Sequence, residues 1–281
     1  MSGGKRFTAV VFAGGGSRCT WQVGFWKEVA PELESPPAAV AAVSAGAAMA
    51  CFVFADCGLE ALDYFKEITG RNPKNFYPEN MFNSRPVFPH LGMYRSTLLK
   101  FLTPERLEIL RRGADLRILM SRPPVWAGPR LAVLCGYICY QLEKTLYAPL
   151  HPVLAERVGF KPVIATARDC TTPEQLADLI LASSCTPPFT PVLRWNGRVV
   201  LDGGLIDNVP EKALTDLNGT ILYLLTRRYS AKTNPVIPGR TYVQPSRPVG
   251  ISKWDYTSPG GIQDAYDLGR EDGRAFLERR D

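Results

Sequence analysis

Histidine is almost missing from this chain. His90 and His151 are the only two in 281 residues. A Cys/His zinc site would have few ligands to draw on, and no metal or cofactor is expected. Cysteine occurs seven times, at Cys19, Cys51, Cys57, Cys135, Cys139, Cys170 and Cys185, but never as a CxxC pair. The number is odd and several lie inside apolar runs. That pattern reads as reduced, partly buried thiols of a reducing compartment. Long hydrophobic runs are lacking too. No segment offers about 18 uninterrupted apolar residues, so no transmembrane helix is expected. The longest candidate, 131–140, is too short to span. The apolar stretch near the N-terminus is cut by Gly14, Gly15 and Gly16, and it lacks the longer core and cleavage site of a secretory signal. No long Lys/Arg run occurs, and the net charge is a mild +6. That balance suits an anionic membrane surface better than nucleic acid. The expectation is a cytoplasmic protein with no nucleic-acid partner, peripheral membrane association being left open.

What is present is ordinary for a globular chain: 46% hydrophobic and 21% charged residues. Such a composition supports a sizeable core. Strand-like and helix-like segments alternate. Strands are expected at 7–12, 38–43, 116–120, 162–166, 199–201 and 220–225, and helices at 18–29, 45–54, 59–68, 104–112, 173–182, 210–217 and 262–277. Helical turns are expected to resume at 96–101. The segments 71–93 and 234–259 are rich in proline and read as loops. A helix over 129–147 opens on proline, with a stripe of Leu131, Leu134, Ile138 and Leu142. Its other side is apolar as well, at Val133, Tyr137 and Tyr140. A helix apolar all round is usually buried; the alternative is an interfacial lid that touches lipid. The whole predicts one domain over 1–281, an α/β fold of three α/β/α layers around a mostly parallel central sheet.

Three segments carry chemistry. Ala13-Gly14-Gly15-Gly16-Ser17-Arg18 stands between a strand and a helix, where glycines can aim backbone N–H groups at an anion. A nucleotide loop is the competitor, but Gly-Lys-Ser/Thr is lacking, and the next strand ends in Val43-Ser44 rather than an acidic residue. Ala42-Val43-Ser44-Ala45-Gly46 follows a strand and precedes a helix, the setting of a nucleophile elbow. A serine merely capping an Ala-rich helix is its bland counterpart. Asp202-Gly203-Gly204 lies at a strand end, the edge where α/β proteins place their chemistry, although Asp-Gly turns are common.

In this order the three segments resemble the patatin-like phospholipase family. The stretch from Asp202 through Asn208 to Pro210 is similar to the family's Asp-Gly-Gly-x-x-x-Asn-x-Pro, and Ala182-Ser183-Ser184-Cys185-Thr186-Pro187-Pro188-Phe189 resembles its Ala-Ser-x-Ala-x-Pro-x-x-Phe. Departures are Ala13 for a frequent Asp, Cys19 for Gly, Ala42 for Gly and Cys185 for the second Ala. The recognisable motifs lie within about 7–217; 218–281 is unassigned and expected to pack on the same domain.

The resemblance implies a lipid acyl hydrolase with Ser44 as nucleophile and Asp202 as base. It also implies an oxyanion hole at Gly14, Gly15, Gly16 and Arg18, with Ala42, Ala45, Gly46, Gly203 and Gly204 as supports. A phospholipid or other lipid ester is the implied substrate. Arg18 is expected to hydrogen-bond the loop carbonyls and so turn the amides of Gly15 and Gly16. Neither histidine stands at a strand end or has an evident carboxylate partner, so a Ser-Asp dyad is preferred over a Ser-His-Asp triad. A carboxylesterase or thioesterase for soluble esters, and a non-enzymatic lipid-binding protein, are the competing readings.

Overall fold

The computed structural model describes residues 5–279 apart from 84, 147–149, 152 and 231–236; for 129, 130, 140 and 143–146 it describes the backbone alone. In chain order the elements are β1 (Ala9–Phe12), α1 (Thr20–Val29), β2 (Ala39–Val43), α2 (Ala45–Phe54), α3 (Gly58–Gly70), α4 (His90–Phe101), α5 (Pro104–Arg112) and β3 (Asp115–Arg122). Then come α6 (Pro129–Leu146), α7 (Leu154–Arg157), β4 (Lys161–Thr166), α8 (Pro173–Ser183), β5 (Leu193–Trp195), β6 (Arg198–Asp202), β7 (Ile221–Leu224), β8 (Arg240–Val243) and α9 (Pro259–Glu278).

The strands form one mixed sheet in the order β5-β6-β3-β2-β1-β7-β8, with β4 also on β3. The run β3-β2-β1-β7-β8 is parallel. The β4, β5 and β6 pairings are antiparallel. β1 and β2 are buried at every position, as inner strands of a parallel sheet must be. Val10 and Phe12 of β1 face the larger core, under α1, α2, α8 and α9. Ala9 and Val11 face a smaller one closed by Val209, Ala213 and Leu214. The sheet is thus mostly parallel and flanked by helices, as the alternating pattern predicts.

The segment beyond the recognisable motifs belongs to this architecture. β7 and β8 extend the parallel sheet, and α9 lies across α1. Two glycines permit that crossing. A Cβ at Gly24 would stand 2.0 Å from the Tyr266 carbonyl oxygen, and one at Gly269 would stand 2.0 Å from that of Trp21. Close backbone contact therefore explains a helix-weakening residue in the middle of α9. Trp21 Nε1 donates to Asp272 Oδ2 at 2.8 Å beside the crossing.

Several local expectations are corrected. His90 opens α4, several residues before the 96–101 turns. The 234–259 loop contains β8, a half-buried edge strand too short to show an alternation. An additional strand, β5, pairs with β6 through Asn196-Gly197, both at positive φ, the backbone that tight hairpins need. The helix expected at 210–217 is a single 3₁₀ turn, Glu211–Leu214. The stripe of α6 is not buried either. Ala132, Gly136 and Cys139 seat the helix, while Leu131, Leu134, Ile138 and Leu142 face outward. Residue 147, the expected end of that helix, lies outside the described residues.

Candidate active site

β2 ends at Val43 and α2 begins at Ala45, so Ser44 is left to make the whole turn. It does so at φ 54° and ψ −136°, a backbone that L-residues seldom adopt. The neighbours permit it. A Cβ at Gly46 would stand 2.5 Å from the Ala13 carbonyl oxygen and 2.6 Å from that of Phe12. Ala42 is wholly buried at the end of β2, and Ala45 opens α2. A pin from outside the elbow holds the turn: the Ser44 N–H donates to Ser183 Oγ at 2.8 Å, and that hydroxyl donates to the Leu119 carbonyl at 2.7 Å.

β6 brings Asp202 to the same edge. Ser44 Oγ donates to Asp202 Oδ2 at 2.7 Å. The Gly204 N–H donates to Oδ1 at 2.7 Å, and Thr186 Oγ1 donates to Oδ2 at 3.2 Å. Asp202 itself is anchored by its N–H on the Cys185 carbonyl at 2.8 Å. Burial pushes the Asp202 carboxyl above its usual range. Hydrogen bonds from Ser44 and the Gly204 amide, the charge of Lys253 and the Thr186 hydroxyl act in the opposite direction and do not cancel it.

The glycine loop closes the site. A Cβ at Gly14 would stand 3.4 Å from the Ser44 Cβ, so the loop abuts the serine. The loop is fixed at both ends. The Gly14 N–H donates to the Asn208 carbonyl at 3.0 Å, and the Gly14 carbonyl accepts from Thr226 Oγ1 at 2.6 Å and Asn208 Nδ2 at 3.1 Å. On the far side the Ser17 N–H donates to the Lys253 carbonyl at 3.1 Å, and Ser17 Oγ to the Asp255 carbonyl at 2.9 Å. Between these anchors the N–H groups of Gly15 and Gly16 make no hydrogen bond among the described residues. They are the free donors of a helical start, next to the serine.

Arg18 behaves otherwise than its position suggested. It stands in the 3₁₀ turn Gly16–Cys19, and its Nε is buried without a partner. No hydrogen bond joins its guanidinium to a loop carbonyl among the described residues. Thr226, Asn208 and the 253–255 backbone hold the loop instead, and the carbonyl of Gly14 is already taken by two donors. Cys19 is buried, with its thiol 3.5 Å from the Ala13 carbonyl. Gln22, fully buried, bridges the Ala13 and Leu224 carbonyls at 2.9 Å each and so ties the ends of β1 and β7.

Neither histidine reaches the serine. His90 is packed among Phe88, Phe189, Trp254 and Tyr256, with Nε2 2.9 Å from the Trp254 carbonyl. Burial lowers its pKa. His151, contrary to expectation, does have a carboxylate partner: Nδ1 lies 2.9 Å from Oδ1 of Asp207, which is wholly buried, and Nε2 lies 3.3 Å from Glu211 Oε2. Burial alone would lower the His151 pKa, but the hydrogen bond and charge of Asp207, with Glu211, raise it overall.

Beside Ala45 runs a narrow cleft, partly open to solvent. Gly16 and Ser17 lie at the loop side. Met49, Phe52, Leu62, Phe65 and Tyr256 make most of the wall apolar.

Ser183, Asn208 and Thr186 fall within segments that the sequence had singled out, though without roles. Gln22, Thr226 and Lys253 carried no sequence signal, because single polar residues far apart in the chain become legible only when the sheet gathers them.

A serine on a strained strand-to-helix turn, bonded to a strand-end aspartate on a mostly parallel sheet, defines an α/β protein of the nucleophile-elbow class. A family model described as patatin-like phospholipase matches residues 10–215. The chain belongs to the patatin-like phospholipase family, one of ester hydrolases that act on lipids. Among solved structures, the chain is similar to VipD from Legionella pneumophila, at 12% identity over 98% of this chain and 67% of that one, with a TM-score of 0.46. No curated protein matches it as a relative.

Proposed function

We propose that this protein is a lipid acyl hydrolase that cleaves carboxylic esters through Ser44 and Asp202. The 2.7 Å hydrogen bond from Ser44 Oγ to Asp202 Oδ2, at the strained elbow, carries the reading. Ser44 Oγ attacks the ester carbonyl carbon while its proton passes to Asp202. The tetrahedral oxyanion is met by the N–H groups of Gly15 and Gly16. Collapse expels the alcohol, which takes the proton back from Asp202, and leaves an acyl group on Ser44. Water then attacks that ester with Asp202 again as base, releasing the fatty acid.

A free aspartate has a pKa of about 3.9 and is a weak base in water. Burial of Asp202 brings its affinity for a proton closer to what the transfer needs. Each oxyanion donor is typically worth about 3 kcal/mol in the transition state, which offsets part of the missing imidazole. The wall of the narrow cleft beside Ala45 is mostly apolar, and this favours an ester with an apolar acyl group.

A fluorophosphonate probe and a series of acyl esters of rising chain length test the reading. Ser44→Ala is expected to abolish both labelling and turnover, with the fold retained. Labelling of another serine, with Ser44→Ala still active, would remove Ser44 from this role.

A further inference from the structure

Helix α6 has two unlike faces. One seats it: Ala132, Gly136 and Cys139 are buried, and a Cβ at Gly136 would stand 3.0 Å from a Leu205 methyl and 3.4 Å from the Phe160 ring. The opposite face is bare. Leu131, Leu134, Tyr137, Ile138 and Leu142 expose 46%, 54%, 59%, 46% and 46% of their surface. At about 100° per residue they share one side of the helix. The loop before it adds Val125, fully exposed, and Trp126, 65% exposed. Scattered exposed apolar residues are normal, but a contiguous patch of this kind marks a binding surface.

The charges around the patch say what it binds. No Asp or Glu stands anywhere between Leu116 and Leu142. Arg122 and Lys161 are paired in register at the ends of β3 and β4, where the Trp126 loop departs. A Cβ at Gly159 would lie 3.8 Å from Trp126 Nε1, so the turn that carries Arg157 stands beside the tryptophan. Arg122, Arg157 and Lys161 take part in no ion pair among the described residues. An apolar strip rimmed by unpaired cations matches the layering of an anionic bilayer, with hydrocarbon inside and phosphates at its border. The helix that carries the strip adjoins the site through its inner face, which packs on the Gly203–Leu205 turn that follows Asp202. No helix among the described residues is long and apolar enough to cross a membrane, so a surface seat is the geometry available.

We propose that the outer face of α6, with Val125 and Trp126, is the seat by which this protein lies on an anionic phospholipid bilayer, Arg122, Arg157 and Lys161 meeting the lipid phosphates. The proposal rests on the lipid-ester reading for its purpose, and its test is chosen to be independent of catalysis.

Flotation of the full chain carrying Ser44→Ala, with vesicles of phosphatidylglycerol and phosphatidylcholine in equal parts, reads docking without hydrolysis. Turnover of a soluble short-chain aryl ester, with Ser44 intact, reads the site without docking. Ser44→Ala is expected to float with the mixed vesicles, less so with phosphatidylcholine alone, and less as salt rises. Leu134→Glu with Ile138→Glu is expected to lower binding at least about tenfold, and Arg157→Glu with Lys161→Glu to lower it similarly and flatten the salt dependence. Both pairs should keep soluble-ester turnover within about twofold of wild type, since none of the four touches the site. Absence of flotation, or flotation unchanged by either pair, overturns the proposal. So does a dimer in solution that the apolar pair dissociates while flotation stays the same, which would make this face a self-association surface. If the apolar pair loses soluble-ester turnover through misfolding, the charge pair decides. Soluble-ester turnover absent from wild type, with flotation as expected, would remove the catalytic reading and leave the docking seat.

Discussion

Ser183→Ala tests whether the elbow is held from outside. The Ser183 hydroxyl is completely buried; it accepts from the Ser44 N–H at 2.8 Å and donates to the Leu119 carbonyl at 2.7 Å. Alanine removes both bonds and adds nothing. The Leu119 carbonyl lies within the sheet and has a second lone pair, so its loss is the smaller one. The Ser44 N–H loses its one partner, and an unsatisfied donor of this kind costs about 1–3 kcal/mol. A total near 2 kcal/mol should lower Tm by about 3 °C in a chain of this size. The larger effect falls on rate. Ser44 sits at φ 54°, a conformation that costs about 1–3 kcal/mol and persists only under constraint. Without the pin the turn can relax, and a displacement of about 1 Å at the reacting atom can cost about a hundredfold. The expected result is a kcat lowered about 10- to 100-fold with KM within about twofold, because only the serine and not the acyl cleft has moved. Steady-state kinetics on a soluble ester, beside thermal unfolding, reads both. A wild-type kcat with an unchanged Tm would show that the Ser183 bond does not hold the elbow; a rise in KM alone would place Ser183 in substrate binding.

Three further outcomes follow from the same geometry. Asp202 has a raised carboxyl pKa in the fold, so between its unfolded value and that raised value the native state holds more protons than the unfolded one; stability falls as pH rises through this window, and the ionised carboxylate is a burden at neutral pH. Asp202→Asn should therefore raise Tm at pH 7 while abolishing turnover, with the gain shrinking toward pH 4; a lower Tm at neutral pH would contradict the sign. His90→Gln with His151→Gln should keep most of the esterase rate, measured against Asp202→Asn, since neither ring contacts Ser44, and an equal loss in both variants would restore a histidine to the mechanism. Gly269→Ala places a methyl 2.0 Å from the Trp21 carbonyl oxygen, backbone that cannot swing aside, and should cost more than about 3 kcal/mol in denaturant unfolding, against about 1 kcal/mol gained from helix propensity.

The sequence by itself determined the layered α/β class and the order of the motifs. Strand and helix periods alternate locally, and the glycine loop, the serine elbow and the Asp-Gly-Gly turn each sit at a junction that short-range chemistry specifies. Ser44 and Asp202 were legible for that reason, because each is flanked by the small residues that its turn requires. The small residues of α6 were visible as well, but not which side of the helix they would seat. An all-apolar helix has no polar face to mark its outside, so burial was the natural expectation, and only packing against Leu205 and Phe160 turned the leucine stripe outward. The same holds for Arg18. Its place one step beyond the glycines suggested a bond to the loop carbonyls, yet Thr226 and Asn208 had taken the Gly14 carbonyl from across the sheet. Ser183 on the Ser44 amide, Gln22 between β1 and β7, and Gly269 against Trp21 are likewise contacts between segments far apart in the chain. Local propensity fixes backbone within a few residues, whereas a hydrogen bond across more than a hundred depends on which strands become neighbours, and that is decided by the burial of the whole sheet.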